Sequence, residues 1–182
     1  MKESIVIYGA GGHASVLTDL VRGNGGEVLT LFADQEENGL KIHHTPIQPY
    51  NISLYPEAAL VIGIGNNQVR ERLSEKVEHR MVSLFHADAS IARDVVAGEG
   101  TVVLARAVVQ SHSKIGRHVI INAGAVIDHD AEIGDFVHVG ANAYVGGGAQ
   151  IGKGVSVGAG AIIMRHTVIQ AGTVIPPLTV VA

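Results

Sequence analysis

Every sixth residue from Ile91 to Val181 is aliphatic: Ile91, Ala97, Val103, Val109, Ile115, Ile121, Ile127, Ile133, Val139, Val145, Ile151, Val157, Ile163, Ile169, Ile175 and Val181. No polar residue interrupts the register. The next position is often glycine (Gly116, Gly134, Gly140, Gly146, Gly152, Gly158), and the position four after the aliphatic is Ala, Ser, Thr or Val from Ala89 and Val95 through Ala161 to Thr179. A period of six suits neither an α-helix nor a simple alternating strand over this length, whereas hexapeptide repeats are the mark of a parallel β-helix. Three hexads make one triangular coil, so sixteen hexads predict about five coils, with stacked residues eighteen apart. The aliphatic should fill the interior, the small residue the corner beside it, and glycine should supply turn angles closed to other side chains. Composition agrees with such a core. The chain of 182 residues is 47% hydrophobic but only 4% aromatic, with 23 glycines and no tryptophan.

The same composition excludes several classes. There is no cysteine, hence no disulfide scaffold, cysteine metal site or cysteine nucleophile. No apolar run reaches the ~18 to 20 residues of a membrane span, and Met1-Lys2-Glu3 leads directly into a strand-like run, so a soluble, cytoplasmic protein is expected. A net charge of -4 with 13 Lys+Arg leaves no basic footprint for nucleic acid. The flat faces of a three-sided prism invite self-association, and a homotrimer is the expected closed form.

Residues 1–80 read differently. A strand over Ser4 to Tyr8 is followed by a turn through Gly9 to Gly12, a helix with His13, Val16, Leu17, Leu20 and Val21 on one face, and a strand over Val28 to Ala33. Little pattern marks 35–57, expected to be loops with one short element. "AALVIGIGNN" supplies a third strand and residues 68–79 a further helical segment. The result is an α/β Rossmann-like half-domain (βαβαβ) over 1–80, with the β-helix over 81–182. Gly9-Ala10-Gly11-Gly12-His13-Ala14 satisfies G-x-G-x-x-G/A, with Asp34 at the end of the second strand. Glycines there let a backbone approach a pyrophosphate at a helix N-terminus. Some 80 residues are only half of a dinucleotide fold, so a nucleotide diphosphate other than NAD fits better, while a plain tight turn and an ordinary strand-end Asp34 stay open. Gly63-x-Gly65-Asn66-Asn67-x-x-Arg70 follows the third strand, where open α/β sheets bind ligands; Asn66 as a helix cap and Arg70 as a surface charge are the structural alternatives.

Within the hexads, Asp128-His129-Asp130 places two acids around an imidazole in a charge-poor stretch. A neighbouring carboxylate fixes the imidazole tautomer and favours its protonated form, as a general base requires. Gly147 lies eighteen after His129 and should stack on it, and His138 lies nine on, half a coil away. Solenoid surfaces also carry histidines with no role. His112 and His118 are read as surface or interface residues.

The loop "YGAGGHA", the "IGNN" segment with its following arginine, and the hexads "VIDHDAEIGDFVHVGANAYVGGGAQIGKGVSVGAGA" together resemble the nucleotide-sugar acetyltransferases of the left-handed β-helix superfamily, including bacterial UDP-4-amino-sugar N-acetyltransferases and sialic-acid O-acetyltransferases. The resemblance spans almost the whole chain and implies a left-handed coil. It implies that His129 is the catalytic base and Asp130 the acid that raises its basicity. It further implies that His138, Gly147 and Ala159 contact acetyl-CoA, with the Gly147 amide facing the thioester oxygen. Gly11, Gly12 and His13 would hold the nucleotide sugar, with Asp34, Gln35, Gly65 and Asn66 around the nucleotide. The family pattern is a homotrimer with active sites between neighbouring β-helices, acetyl-CoA as co-substrate and no metal. The expected activity is transfer of acetyl to an amino group, 4-amino in the nearest resemblance, of a UDP-linked sugar for surface-glycan or protein-glycosylation biosynthesis. O-acetylation of a sugar such as sialic acid is the alternative. A γ-class carbonic anhydrase shares the solenoid, but the solenoid histidines contain no H-x4-H pair of that family's kind, and an NAD-binding protein would rest on the glycine loop alone.

Overall fold

The computed structural model describes residues 3–34 and 41–182. The chain forms two compact units, Met1–Leu84 and Phe85–Ala182.

The first unit contains β1 (Ser4–Tyr8), α1 (Gly12–Gly23), β2 (Glu27–Phe32), β3 (Lys41–Ile42), β4 (Thr45–Gln48), β5 (Ala59–Ile62) and α2 (Asn67–Ser74). Its sheet runs β3-β4-β2-β1-β5, parallel throughout except for the β3/β4 pair. The unbroken apolar runs in β1 and β5 match strands covered on both faces, and Ile5 to Tyr8 and Ala59 to Ile62 are buried. Two readings need correction. Among the described residues no helix lies between β2 and β5; that stretch contributes the short hairpin β3/β4, so the order is β-α-β-β-β-β-α and not βαβαβ. The second helix stops at Ser74, not residue 79, because Lys76 and Val77 both donate to the Leu73 carbonyl and Ser74 Oγ turns onto Glu71. On α1 the buried face is Ala14, Leu17, Thr18, Leu20 and Val21, while Val16 is exposed. Gly9 and Gly63 are required by close approach: a methyl on Gly9 (φ +132°) would lie 2.7 Å from the Gly63 oxygen, and one on Gly63 would lie 3.0 Å from Ala14 Cα. The start of α1 is thereby pressed onto the ends of β1 and β5.

The second unit is a left-handed parallel β-helix. Two-residue strands recur every six residues, from β6 (Leu84–Phe85) to β22 (Val180–Val181), in three sheets of six, five and six strands. Each strand pairs with the one eighteen residues away, so Ile127 sits between Val109 and Val145. The second residue of each strand is the sequence aliphatic, and with the small corner residues Ala107, Ala125, Ala131, Ala143, Ala149 and Ala161 it forms the core. No aromatic belongs to that core, since one coil's interior accepts only small aliphatics.

The role of the glycines after the aliphatic differs from expectation. None has positive φ; a methyl on Gly116, Gly134, Gly140, Gly146, Gly152 or Gly158 would instead sit 2.4 to 2.7 Å from backbone of the next coil. The left-handed backbone falls two residues later, at fourteen successive sixth positions from Gly100 to Leu178. Only six of the fourteen are glycine; the others are Arg106, His112, His118, Asp130, Phe136, Asn142, His166 and Leu178. Packing distance and backbone angle therefore both set where this repeat uses glycine, each at its own position of the hexad.

Candidate active site

Asp128, His129, Asp130 and Ala131 form the turn between β13 (Val126–Ile127) and β14 (Glu132–Ile133). Coils on both sides hold this turn: Asp128 N–H donates to the Val145 carbonyl, Asp130 N–H to that of Ser111, and Gly148 N–H to that of His129. From the preceding coil, the buried Ser113 hydroxyl donates to the Asp128 carbonyl at 2.9 Å.

The imidazole is exposed, and its Nδ1 lies 2.6 Å from Asp130 Oδ2. With that carboxylate ionised, Nδ1 carries the proton and Nε2 presents a lone pair. Asp130 occupies one of the left-handed turn positions (φ 59°), which brings its carboxylate beside its neighbour's ring. The hydrogen bond that His129 Nδ1 donates to Asp130, followed by the charge of Asp128, holds the His129 pKa above the ordinary histidine value. One coil on, the turn between β16 (Tyr144–Val145) and β17 (Gln150–Ile151) begins Gly146-Gly147-Gly148. A methyl on Gly147 would stand 2.9 Å from His129 Nε2 and 3.0 Å from Cε1. The missing side chain leaves room beside the basic nitrogen. Eighteen-residue stacking thus places Gly147 against His129 as expected, and the Gly147 backbone is the least of the influences that hold the Asp128 carboxyl below its usual range.

Asp128 is a further element of this turn. One oxygen accepts the His129 backbone N–H at 2.8 Å and the other accepts the Tyr144 hydroxyl at 2.6 Å. The phenol's hydrogen bond is the foremost cause of a depressed Asp128 pKa.

His138 and Ala159 lie elsewhere on the prism. His138 is on β15 (His138–Val139), in the sheet that does not border the His129 turn, and Ala159 is in the exposed turn after β18 (Ser156–Val157). A single chain therefore does not bring them together with His129. Asn122 faces His138: its Nδ2 is 3.1 Å from His138 Nε2, and because its Oδ1 accepts the Ala123 N–H, the amide donates and Nε2 accepts. Tyr144 and Asn122 were missed by sequence reasoning. Both belong to pairs sixteen apart, 128/144 and 122/138, in which a strand's outward residue meets the first turn residue of the preceding coil. That spacing is readable once the coil length is known.

In the first unit, Gly11 is the N-cap of α1 in extended backbone with no side-chain cap, and Gly12 and His13 open its first turn. Asp34 accepts a hydrogen bond from the Tyr8 hydroxyl, whose pKa is raised by burial and by that carboxylate. Gln35 lies outside the described residues. Asn66 caps α2, its side chain accepting from Val69 N–H at 3.0 Å. Arg70 is no surface charge. Only 1% exposed, its guanidinium donates to the carbonyls of Ile64 (3.0 Å) and Gly65 (3.2 Å) and to Asn67 Oδ1 (2.8 Å), and burial pushes its pKa down to about 10. It clamps the Gly65 loop. Among the described residues no group of three or more His, Asp and Glu is placed to hold a metal ion, and no helix is long and apolar enough to cross a membrane.

A hexapeptide solenoid with a carboxylate-paired imidazole at one turn resembles the β-helical acyltransferases, and comparison with known proteins bears on that resemblance. The PglD N-terminal domain model matches residues 4–77, and the bacterial transferase hexapeptide (six repeats) model matches 130–165. UDP-N-acetylbacillosamine N-acetyltransferase of Bacillus subtilis is 32% identical over 114 residues, 57% of this chain and 52% of that protein. The match thus spans about half the length of that relative. A mutant of perosamine N-acetyltransferase from Caulobacter crescentus, in complex with CoA and GDP-perosamine, superposes with a TM-score of 0.92 at 29% identity, over 98% of this chain and 88% of that one. The acetyltransferase domain of PglB from Neisseria gonorrhoeae also gives 0.92, at 26% identity over 100% and 92% of the chains. Over nearly its whole length the chain is thus similar to sugar N-acetyltransferases of known structure and shares their left-handed β-helix fold.

Proposed function

We propose that the protein transfers acetyl from acetyl-CoA to an amino group of a nucleotide-linked sugar. The observation that carries this reading is the His129 ring, fixed through Nδ1 by Asp130 with Nε2 opening onto the gap at Gly147. The sugar acceptor and the CoA donor are suggested by similar structures that hold CoA and GDP-perosamine, or acetyl coenzyme A. An amino acceptor is favoured over a hydroxyl because the similar proteins are N-acetyltransferases.

The chemistry is a direct transfer. The neutral amine attacks the thioester carbonyl, forming the C–N bond, and His129 Nε2 takes the proton that becomes acidic on the nitrogen. The C–S bond then breaks and CoA leaves as thiolate, to be protonated by the imidazolium or water. No covalent enzyme intermediate is needed. In this reading Gly147 leaves space beside Nε2, and its amide would be the donor to the thioester oxygen.

His138 and Ala159 fit the same reading as acetyl-CoA contacts if the chain forms a homotrimer. Lying across the prism from the His129 turn, they would meet His129 only across neighbouring copies. Residues 1–80, Rossmann-like in strand order β4-β2-β1-β5, would bind the nucleotide sugar through Gly11, Gly12, His13, Asp34, Gln35, Gly65 and Asn66. A cytoplasmic setting fits a reaction that consumes acetyl-CoA. The test is release of CoA thiol from acetyl-CoA with a panel of UDP- and GDP-linked amino sugars. Turnover with at least one 4-amino sugar is expected, and release with no member of the panel contradicts the proposal.

A further inference from the structure

We infer that Tyr144 is a positioning residue for the acetyl transfer, acting through Asp128 to hold the backbone that carries His129. This rests on the reading of His129 as the base. Asp130 fixes the ring through a side chain on the same exposed turn, whose backbone is itself bonded to the neighbouring coils. Asp128 adds a side-chain tie to those backbone bonds. Its backbone is bonded to Val145 on one side and Ser113 on the other, and its carboxylate bridges the His129 N–H at 2.8 Å and the Tyr144 hydroxyl at 2.6 Å. Tyr144 stands on strand β16, paired in register with Val126 and Ile162, and is therefore a rigid post one coil beyond the histidine's own. A hydroxyl on a strand locates a carboxylate more firmly than a turn residue would.

The phenol also holds the second Asp128 oxygen through its hydrogen bond. Without that donor the Asp128 charge, which already favours the protonated imidazole, is less drawn off by the phenol and acts more strongly on the ring. The other charged groups on this corner are Asp130 beside the ring, Arg93 and the Asp94–His112 pair (2.8 Å) on the preceding turns, and Arg165 and His166 on the turn after the glycines. No side chain of these bonds the Asp128 carboxylate, so none replaces the Tyr144 hydroxyl.

The test is Tyr144→Phe, which keeps the ring and removes one oxygen, together with Asp128→Asn and the double variant. Two readouts are taken: kcat and KM in the thiol-release assay, and the NMR titration of the His129 imidazole proton, assigned with His129→Ala. Tyr144→Phe should lower kcat about tenfold with KM for acetyl-CoA within about twofold, and move the His129 titration upward. In the Asp128→Asn background the same change should do neither, because the residue it acts through is already disabled. An unaltered His129 titration in Tyr144→Phe, or equal effects with and without Asp128, overturns the inference. The titration needs no turnover, so a protein inactive on every sugar tested would contradict the acetyl-transfer reading while leaving the Tyr144–Asp128–His129 link measurable.

Discussion

The two units use glycine and aromatic residues in opposite ways. In the first, a cluster of Tyr8, Phe32, Tyr50 and His79 rings, with centroids 5.1 to 6.4 Å apart, fills the space beside the sheet. Its key glycines answer individual contacts, as Gly9 does against Gly63. In the solenoid the core has no ring, and glycine answers a periodic demand: the position after each aliphatic lies against the backbone of the coil above. The aromatics that do occur lie at turns or on outer faces, as where His118 stacks on Phe136 at 5.2 Å. Repetition makes each solenoid contact predictable from residue number, whereas each contact in the α/β unit is particular to its loop.

The strongest way to break this contrast is Gly158→Ala. A methyl there would meet the Pro177 nitrogen at 2.4 Å and the Pro176 carbonyl carbon at 2.6 Å, backbone that cannot step aside without moving a coil. A loss of about 3 kcal/mol is expected in denaturant unfolding, at the upper end for overpacking; a loss under about 1 kcal/mol would show that the coils have slack.

A smaller effect is expected at the functional turn. Asp130→Asn removes the main cause of the raised His129 pKa. The neutral imidazole is the active form, so the acid limb of the rate profile rises through the His129 pKa. In the variant that limb should move to lower pH, and the plateau should fall about tenfold as the ring loses its orienting partner. The stability linkage runs the other way. A histidine with a raised folded-state pKa stabilises the fold fully below the unfolded value of about 6.5 and loses that contribution as pH rises through the folded value. An unmoved acid limb would dissociate Asp130 from His129.

The smallest effect is Leu178→Gly. Leu178 is exposed and holds φ 59°, a conformation costly for an L-residue. Glycine there should raise stability by roughly 1 kcal/mol, read as a higher melting temperature; a drop would mean that the contact of its side chain over Gly160 outweighs the strain.

How far the sequence disclosed the molecule follows the same division. The eighteen-residue coil predicted that Gly147 would stack on His129 and that His138 would stand half a coil away, and both follow from the strand register. It misassigned the glycines, since a sequence shows where glycine recurs but not whether space or angle demands it. In the first unit, periodicity located β1, α1 and β5. The β3/β4 hairpin escaped because a two-residue strand has no period to detect. Arg70 likewise reads as an ordinary helix charge. Only the folded loop reveals that its guanidinium closes onto Ile64, Gly65 and Asn67. Tyr144 was legible in principle, through the sixteen-residue relation to Asp128, but only once the outward face of each strand had been assigned.

The central claim is that His129 is the base of acetyl transfer. The most direct measurement compares CoA thiol release by the wild type and by His129→Ala, using a 4-amino-sugar nucleotide, with acetyl-CoA binding followed in parallel by calorimetry. Turnover should fall by about 100-fold or more while acetyl-CoA affinity and the unfolding profile stay as in the wild type. Near wild-type turnover in the variant would contradict the account.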